Sequence, residues 1–137
     1  MLFDTQLERL FKENSVIAIV GAKDKAGSPV EHVGRYLIGQ GYEVLPVHPV
    51  RKNVWGLPTY ASLQDLPKVP DIVCFFRTPE ACLEHAEEIL ALPWRPKVFW
   101  MQLGIGNKKA GELMAKEGVV VVEDACIETE HKRVFGN

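Results

Sequence analysis

The sequence predicts an α/β fold: a mainly parallel, five-stranded sheet, doubly wound with helices on both faces. Two observations carry this. Short, near-continuous apolar runs rich in β-branched residues recur five times along the chain. Stretches with helical start and stop signals separate them, and strands that alternate with helices imply right-handed crossovers and a sheet covered on both sides. With 137 residues, the chain is read as one domain over 1–137.

The first strand is Val16-Ile17-Ala18-Ile19-Val20, ending at Gly21. Glu43-Val44-Leu45-Pro46-Val47 carries a proline and so belongs nearer a sheet edge. Ile72-Val73-Cys74-Phe75-Phe76 and Val98-Phe99-Trp100-Met101 repeat the buried pattern, and Val119-Val120-Val121-Val122 closes the series. Before the first strand, Thr5 and Glu8 suggest a helix carrying Leu7, Leu10 and Phe11. Ser28-Pro29-Val30-Glu31 offers a serine N-cap, proline at the first helical position and a capping-box glutamate, with Gly39 or Gly41 as the stop. Thr78-Pro79 starts a further helix, with Ala81, Cys82, Ala86, Ile89 and Leu90 facing inward. Asn107 caps another, with Leu113 and Met114 inside and Gly118 at its end, and 62–66 reads as a short helical turn. The architecture is Rossmann-like, and its ligand crevice is expected in the loops after the strands.

Hydrophobic residues make up 47% and charged residues 25%, the balance of an ordinary globular protein. The net charge of −2 gives no reason to expect nucleic acid or an anionic membrane surface. No apolar run approaches the roughly 18 residues of a membrane span. The start Met1-Leu2-Phe3-Asp4 lacks the basic-then-apolar pattern of a leader. Three widely spaced cysteines, Cys74, Cys82 and Cys126, fit a reducing compartment, and the expected location is cytoplasmic.

The loop from Gly21 to Pro29 lies where such folds hold a phosphate. Gly21 permits a sharp turn, the following helix offers free N–H groups and a positive dipole end, and Lys23 and Lys25 add charge. The plainer alternative is a solvated loop with two surface lysines. The sequence is not G-x-G-x-x-G, since Lys23 occupies the second glycine position, and no Gly-Lys-Ser/Thr follows to make a Walker A loop. After the second strand the chain runs Val47-His48-Pro49-Val50-Arg51-Lys52, without the acid that binds the ribose hydroxyls of NAD. Arg51 and Lys52 could instead meet a phosphate on the ribose, or form a solvated turn. Two adenosine ligands with an extra phosphate qualify, NADP and coenzyme A.

A set of short motifs runs in order along nearly the whole chain: Ile17-Ala18-Ile19-Val20-Gly21-Ala22, Val33-x-Arg35-Tyr36-Leu37, Gly41-Tyr42-x-Val44-x-Pro46-Val47-x-Pro49, Ser62-Leu63-x-Asp65-Leu66-Pro67, Phe76-Arg77, Trp100-x-Gln102-x-Gly104-Ile105 and Cys126-Ile127. This set resembles the small stand-alone CoA-binding proteins, which are similar to the CoA-binding domain of the succinyl-CoA synthetase α subunit. The resemblance implies that Gly21, Ala22 and Lys23, with the helix start at Ser28, hold the pyrophosphate. It implies that His48, Pro49 and Arg51 or Lys52 face the adenosine and its 3′-phosphate. Phe76, Arg77, Thr78 and Gln102 would border the ligand across the switch point. Lys23 and His48 stand where the family often has serine and asparagine, and Ala125 where it commonly has arginine.

Arg77 ends a very apolar strand, where a charge is costly unless paired or facing a crevice; Asp71 and Glu80 are the alternative partners. Gln102 follows the fourth strand in the same way. Cys126 could form a mixed disulfide with the CoA thiol, though a small buried, inert cysteine is the plainer reading. Cys126-x-x-x-x-His131 supplies only two ligands, so no metal is expected. No paired carboxylates, nucleophile elbow or Ser/His/Asp order stands out. Trp55, Trp94 and Trp100 are read as packing residues. The polar tail 128–137 is left to pack on the domain or on a second subunit, so a homodimer stays open. The expected function is binding of coenzyme A or an acyl-CoA without catalysis. The alternatives are an NADP-dependent oxidoreductase and a CoA-binding subunit of a larger ligase.

Overall fold

The computed structural model describes residues 2–136; Met1 and Asn137, which bounded the readings of the chain start and of the tail, lie outside it. Chain order is α1 (Asp4–Glu13), β1 (Val16–Val20), α2 (Pro29–Gly39), β2 (Glu43–Val47), β3 (Ile72–Phe75), α3 (Pro79–Leu90), β4 (Val98–Met101), α4 (Lys108–Lys116), β5 (Val120–Val122) and α5 (Ile127–Phe135). Two 3-10 turns, Val54–Gly56 and Leu63–Asp65, lie between β2 and β3.

All strand pairs are parallel and the sheet order is β2-β1-β3-β4-β5. The chain therefore winds outward from β1 to β2, then crosses back to β3 on the other side. The reversal places a switch point between β1 and β3, where such sheets open a crevice at the carboxyl ends of the strands. Alternate residues of each strand point to opposite faces. Ile17, Ile19, Cys74 and Trp100 pack with α1, α2 and α5, whereas Ala18, Val20, Phe75, Phe99 and Met101 pack with α3 and α4.

The central strands β1, β3 and β4 are buried, and β2 is an edge, as its proline predicts. Pro46 lies opposite Ile19 of β1, with Tyr60 on its other side: Tyr60 N–H donates to Pro46 O and His48 N–H donates to Tyr60 O, both at 2.9 Å. Val119 is buried, but β5 is the second edge and Val120 is 40% exposed. A β-branched run reads alike whether a neighbouring strand covers it or not.

Side-chain caps at Ser28, Thr78 and Asn107 form as expected, accepting from Glu31, Ala81 and Ala110 N–H. Two helix starts differ from expectation. α1 begins at Asp4, where Gln6 Oε1 accepts from Phe3 N–H at 2.7 Å, so Thr5 is not its cap. Glu31 does not close a capping box. Its carboxylate accepts instead from Arg35 Nε (2.7 Å) and Trp55 Nε1 (2.8 Å). Trp55, at φ +55°, lies on α2 over Gly34, where a Cβ would come within 2.2 Å of the indole.

The tail is not merely polar: it forms α5, packed on α1 and α2. Buried His131 ties it down, accepting at Nδ1 from Tyr36 OH (2.6 Å) and donating from Nε2 to Tyr42 OH (3.1 Å). Tyr42 OH in turn donates to Phe11 O, which fixes this tautomer. Glu128 accepts from Lys132 at 2.6 Å and meets His32 at 2.7 Å, and Arg133 pairs with Asp4 and Glu130. Among the described residues, no helix is long and apolar enough to cross a membrane.

Candidate functional site

The ends of β1, β2, β3 and β4, with the start of α2 and Cys126, enclose a crevice of about 810 Å³. This is within the usual size of a small-molecule site. Gly21 makes its floor possible. It sits at φ +86°, and a Cβ there would meet the Phe76 carbonyl oxygen at 2.5 Å, so the two loops touch backbone to backbone.

Cations gather at one end. His48 Nδ1 accepts from Val50 N–H (3.1 Å) and Arg51 N–H (3.0 Å), which puts its proton on Nε2. Burial lowers its pKa, and the charges of Arg51, Arg77 and Lys23 lower it further. Arg77 pairs with neither Asp71 nor Glu80. Its guanidinium donates to His85 Nε2 at 3.4 Å, while His85 Nδ1 donates to Glu88 (3.0 Å), a relay that holds the arginine without neutralising it. Lys23 lines the crevice with no carboxylate partner among the described residues. The backbone N–H groups of Lys23, Asp24, Lys25, Ala26 and Gly27 also find no acceptor within the described protein. Of this loop only Gly21, Lys23 and Pro29 line the crevice, and two cations beside a helix N-terminus there suit a polyphosphate.

The other end, at β4 and the β5–α5 junction, is neutral and largely apolar: Leu103, Ile105 and Cys126, with Val30, Val33 and Pro79 as walls. Gln102 is 5% exposed. Its Oε1 accepts from Ile127 N–H (2.9 Å) and from the Cys74 thiol (3.5 Å). Its amide nitrogen meets no acceptor among the described residues and remains open to the crevice. Burial holds the Cys74 thiol well above its ordinary pKa and takes Cys82 to about 11, so both stay protonated.

The structure thus brings together Gly21, Lys23, His48, Pro49, Phe76, Arg77, Thr78 and Gln102 from the sequence reading. It leaves five of the residues chosen there outside the crevice wall. Ala22 is fully buried, and its N–H, like that of Gly21, is taken by Val47 O, so neither donates to a phosphate. Ser28 caps α2 on the outer side, with its hydroxyl donating to Lys25 O. Lys25 and Lys52 are exposed off the crevice. Arg51 pairs with Asp24 at 3.3 Å, tying the β2 exit to the glycine loop. The sequence reading missed Val30, Val33, Pro79, Leu103 and Ile105; the last two follow Gln102 directly, which was the available signal.

Residues 15–132 match the family described as CoA binding domain. The chain belongs to this family. A relative named uncharacterized protein YneT of Bacillus subtilis (strain 168) is 30% identical over 126 residues, covering 92% of each chain. A hypothetical protein from Pyrococcus horikoshii OT3 superposes with TM-score 0.92 at 30% identity, over 98% of this chain and 94% of that one. The structure of cell-free ID.343 from Thermus thermophilus gives 0.90 at 38% identity, over 98% and 100%. Membership of the CoA-binding domain family supports binding of CoA, and the donor set of the crevice fits that ligand. Lys23, His48, Arg77 and Gln102 are the polar side chains of the sequence reading that face the crevice.

Proposed function

We propose that this chain binds CoA, or an acyl-CoA, in the crevice and does not turn it over. The observation that carries the reading is the polarity of the crevice along the sheet. Lys23, Arg77 and the donor side of His48 mark a polyanion-binding end over β2, β1 and β3. Leu103, Ile105 and Cys126 mark a neutral end over β4 and β5. CoA has this shape, a phosphorylated adenosine and pyrophosphate joined to an uncharged pantetheine arm. Five strands at about 4.8 Å spacing spread these two ends over roughly 19 Å, which suits an extended ligand laid across the strand ends.

Among the described residues no group of three His, Cys, Asp or Glu is placed to hold a metal, and no nucleophile with an adjacent base lines the crevice. We read the crevice as a binding site for CoA. Thermal unfolding with CoA, dephospho-CoA, NADP and NAD in parallel tests it. A ligand at about 100 times its Kd adds roughly 2.7 kcal/mol, a shift of several degrees for a chain of this length. CoA should raise the midpoint most, with dephospho-CoA weaker and NADP and NAD without effect. A larger shift with NADP, or none with CoA, overturns the reading.

A further inference from the structure

We propose that the bound species is a CoA thioester whose acyl chain occupies a second cavity beside the crevice, and that this cavity accepts neutral acyl groups and rejects those ending in a carboxylate. The proposal rests on the CoA reading above and extends it past the thiol. With the phosphates held at Lys23 and Arg77, the pantetheine arm runs toward Leu103 and Cys126. These two residues also wall a cavity of about 550 Å³ on the α1 and α5 side of β5. The thiol end of the arm therefore arrives where the two cavities meet. Leu103, 69% exposed, stands between them and would be covered on one side by the arm and on the other by an acyl chain.

The second cavity has an apolar floor, to which Leu7, Trp100 and Val122 contribute, and an acidic rim of Glu123, Asp124 and Glu130. Asp124 accepts from Gly104 N–H at 2.7 Å, Glu130 is paired with Arg133, and Glu123 has no partner among the described residues. Among the described residues, no lysine, arginine or histidine lines this cavity. A second carboxylate on the acyl group would enter a rim that already carries excess negative charge, whereas a plain alkyl chain covers apolar surface. Discrimination of this kind works by repulsion of the wrong ligand as much as by attraction of the right one.

The test is isothermal titration of the full chain with CoA, acetyl-CoA, butyryl-CoA, hexanoyl-CoA and succinyl-CoA. Each buried methylene should tighten binding about two- to fourfold, so the wild type should prefer hexanoyl-CoA over butyryl-CoA over CoA. Succinyl-CoA should bind no tighter than CoA. Thr129→Trp, at an exposed position lining only the second cavity, should keep CoA affinity and abolish the gain with chain length. Glu123→Gln should bring succinyl-CoA closer to butyryl-CoA. Equal affinities for CoA and its alkanoyl thioesters in the wild type overturn the subsite while leaving CoA binding intact; so does a chain-length gain that survives Thr129→Trp. Absence of binding by every CoA species overturns the functional reading itself.

Discussion

Replacing Gln102 by methionine keeps nearly the same shape but removes the acceptor that holds the start of α5. Gln102 Oε1 takes the N–H of Ile127, a residue with no exposed surface, at 2.9 Å. Without it that N–H is buried and unpaired, which costs about 1–3 kcal/mol. The Cys74 thiol, a weak donor at 3.5 Å, adds little. Because volume is conserved, no cavity cost accompanies the change. The expected loss is therefore about 2 kcal/mol, or roughly 6–10 °C in Tm for a chain of this length. Urea unfolding followed by tryptophan fluorescence measures the first quantity. Hydrogen exchange at the amides of α5 locates it, since the loss should appear there as faster exchange. A variant within about 0.5 kcal/mol of wild type, with Ile127 still protected, would refute the assignment of Gln102 as the anchor of the last helix.

Burial lowers the pKa of both His48 and His131, so below pH 6.5 the unfolded chain binds more protons than the folded one. Stability from these groups is complete above 6.5 and declines as pH falls through their lowered folded values; urea midpoints at pH 7.5 and 5.5 should show it, with a flatter slope in His131→Asn. Gly34→Ala should destabilise by about 1–3 kcal/mol despite alanine's better helix propensity, because its Cβ would displace the Trp55 indole; an unchanged urea midpoint would contradict this. Arg77→Ala should weaken CoA binding roughly 10- to 100-fold, the value of a charge-assisted contact, with little change in the unliganded midpoint, as titration and thermal unfolding will report.

Much of the fold was legible because its signals are local. Ser28, Thr78 and Asn107 cap the helices that follow them through atoms three residues away. Pro46 marks an edge because it lacks a donor. What escaped depends on distant partners. The stripe of α5 runs through Ile127 and His131, and histidine reads as polar until Tyr36 and Tyr42 close around it. The site shows the same division. Residues at strand ends, such as His48, Arg77 and Gln102, could be picked out by position alone. That Gly21 and Ala22 have no N–H left for a phosphate depends on Val47 O, across the sheet. Val30 and Val33 looked like ordinary core positions of a helix, because only the crevice shows which end of that stripe is uncovered.

The two margins of the sheet differ in their capacity for growth. At β2, Pro46 turns an outward position with no hydrogen to give, and Tyr60 already engages its carbonyl and the amide of His48. An incoming strand finds no ladder there to extend. At β5 the margin is open but only three residues long. Polymerisation by strand addition is thus blocked on one flank by proline and a bridging tyrosine, and limited on the other by brevity, so concentrated solutions should resist fibril formation unless Pro46 is replaced or β5 is lengthened.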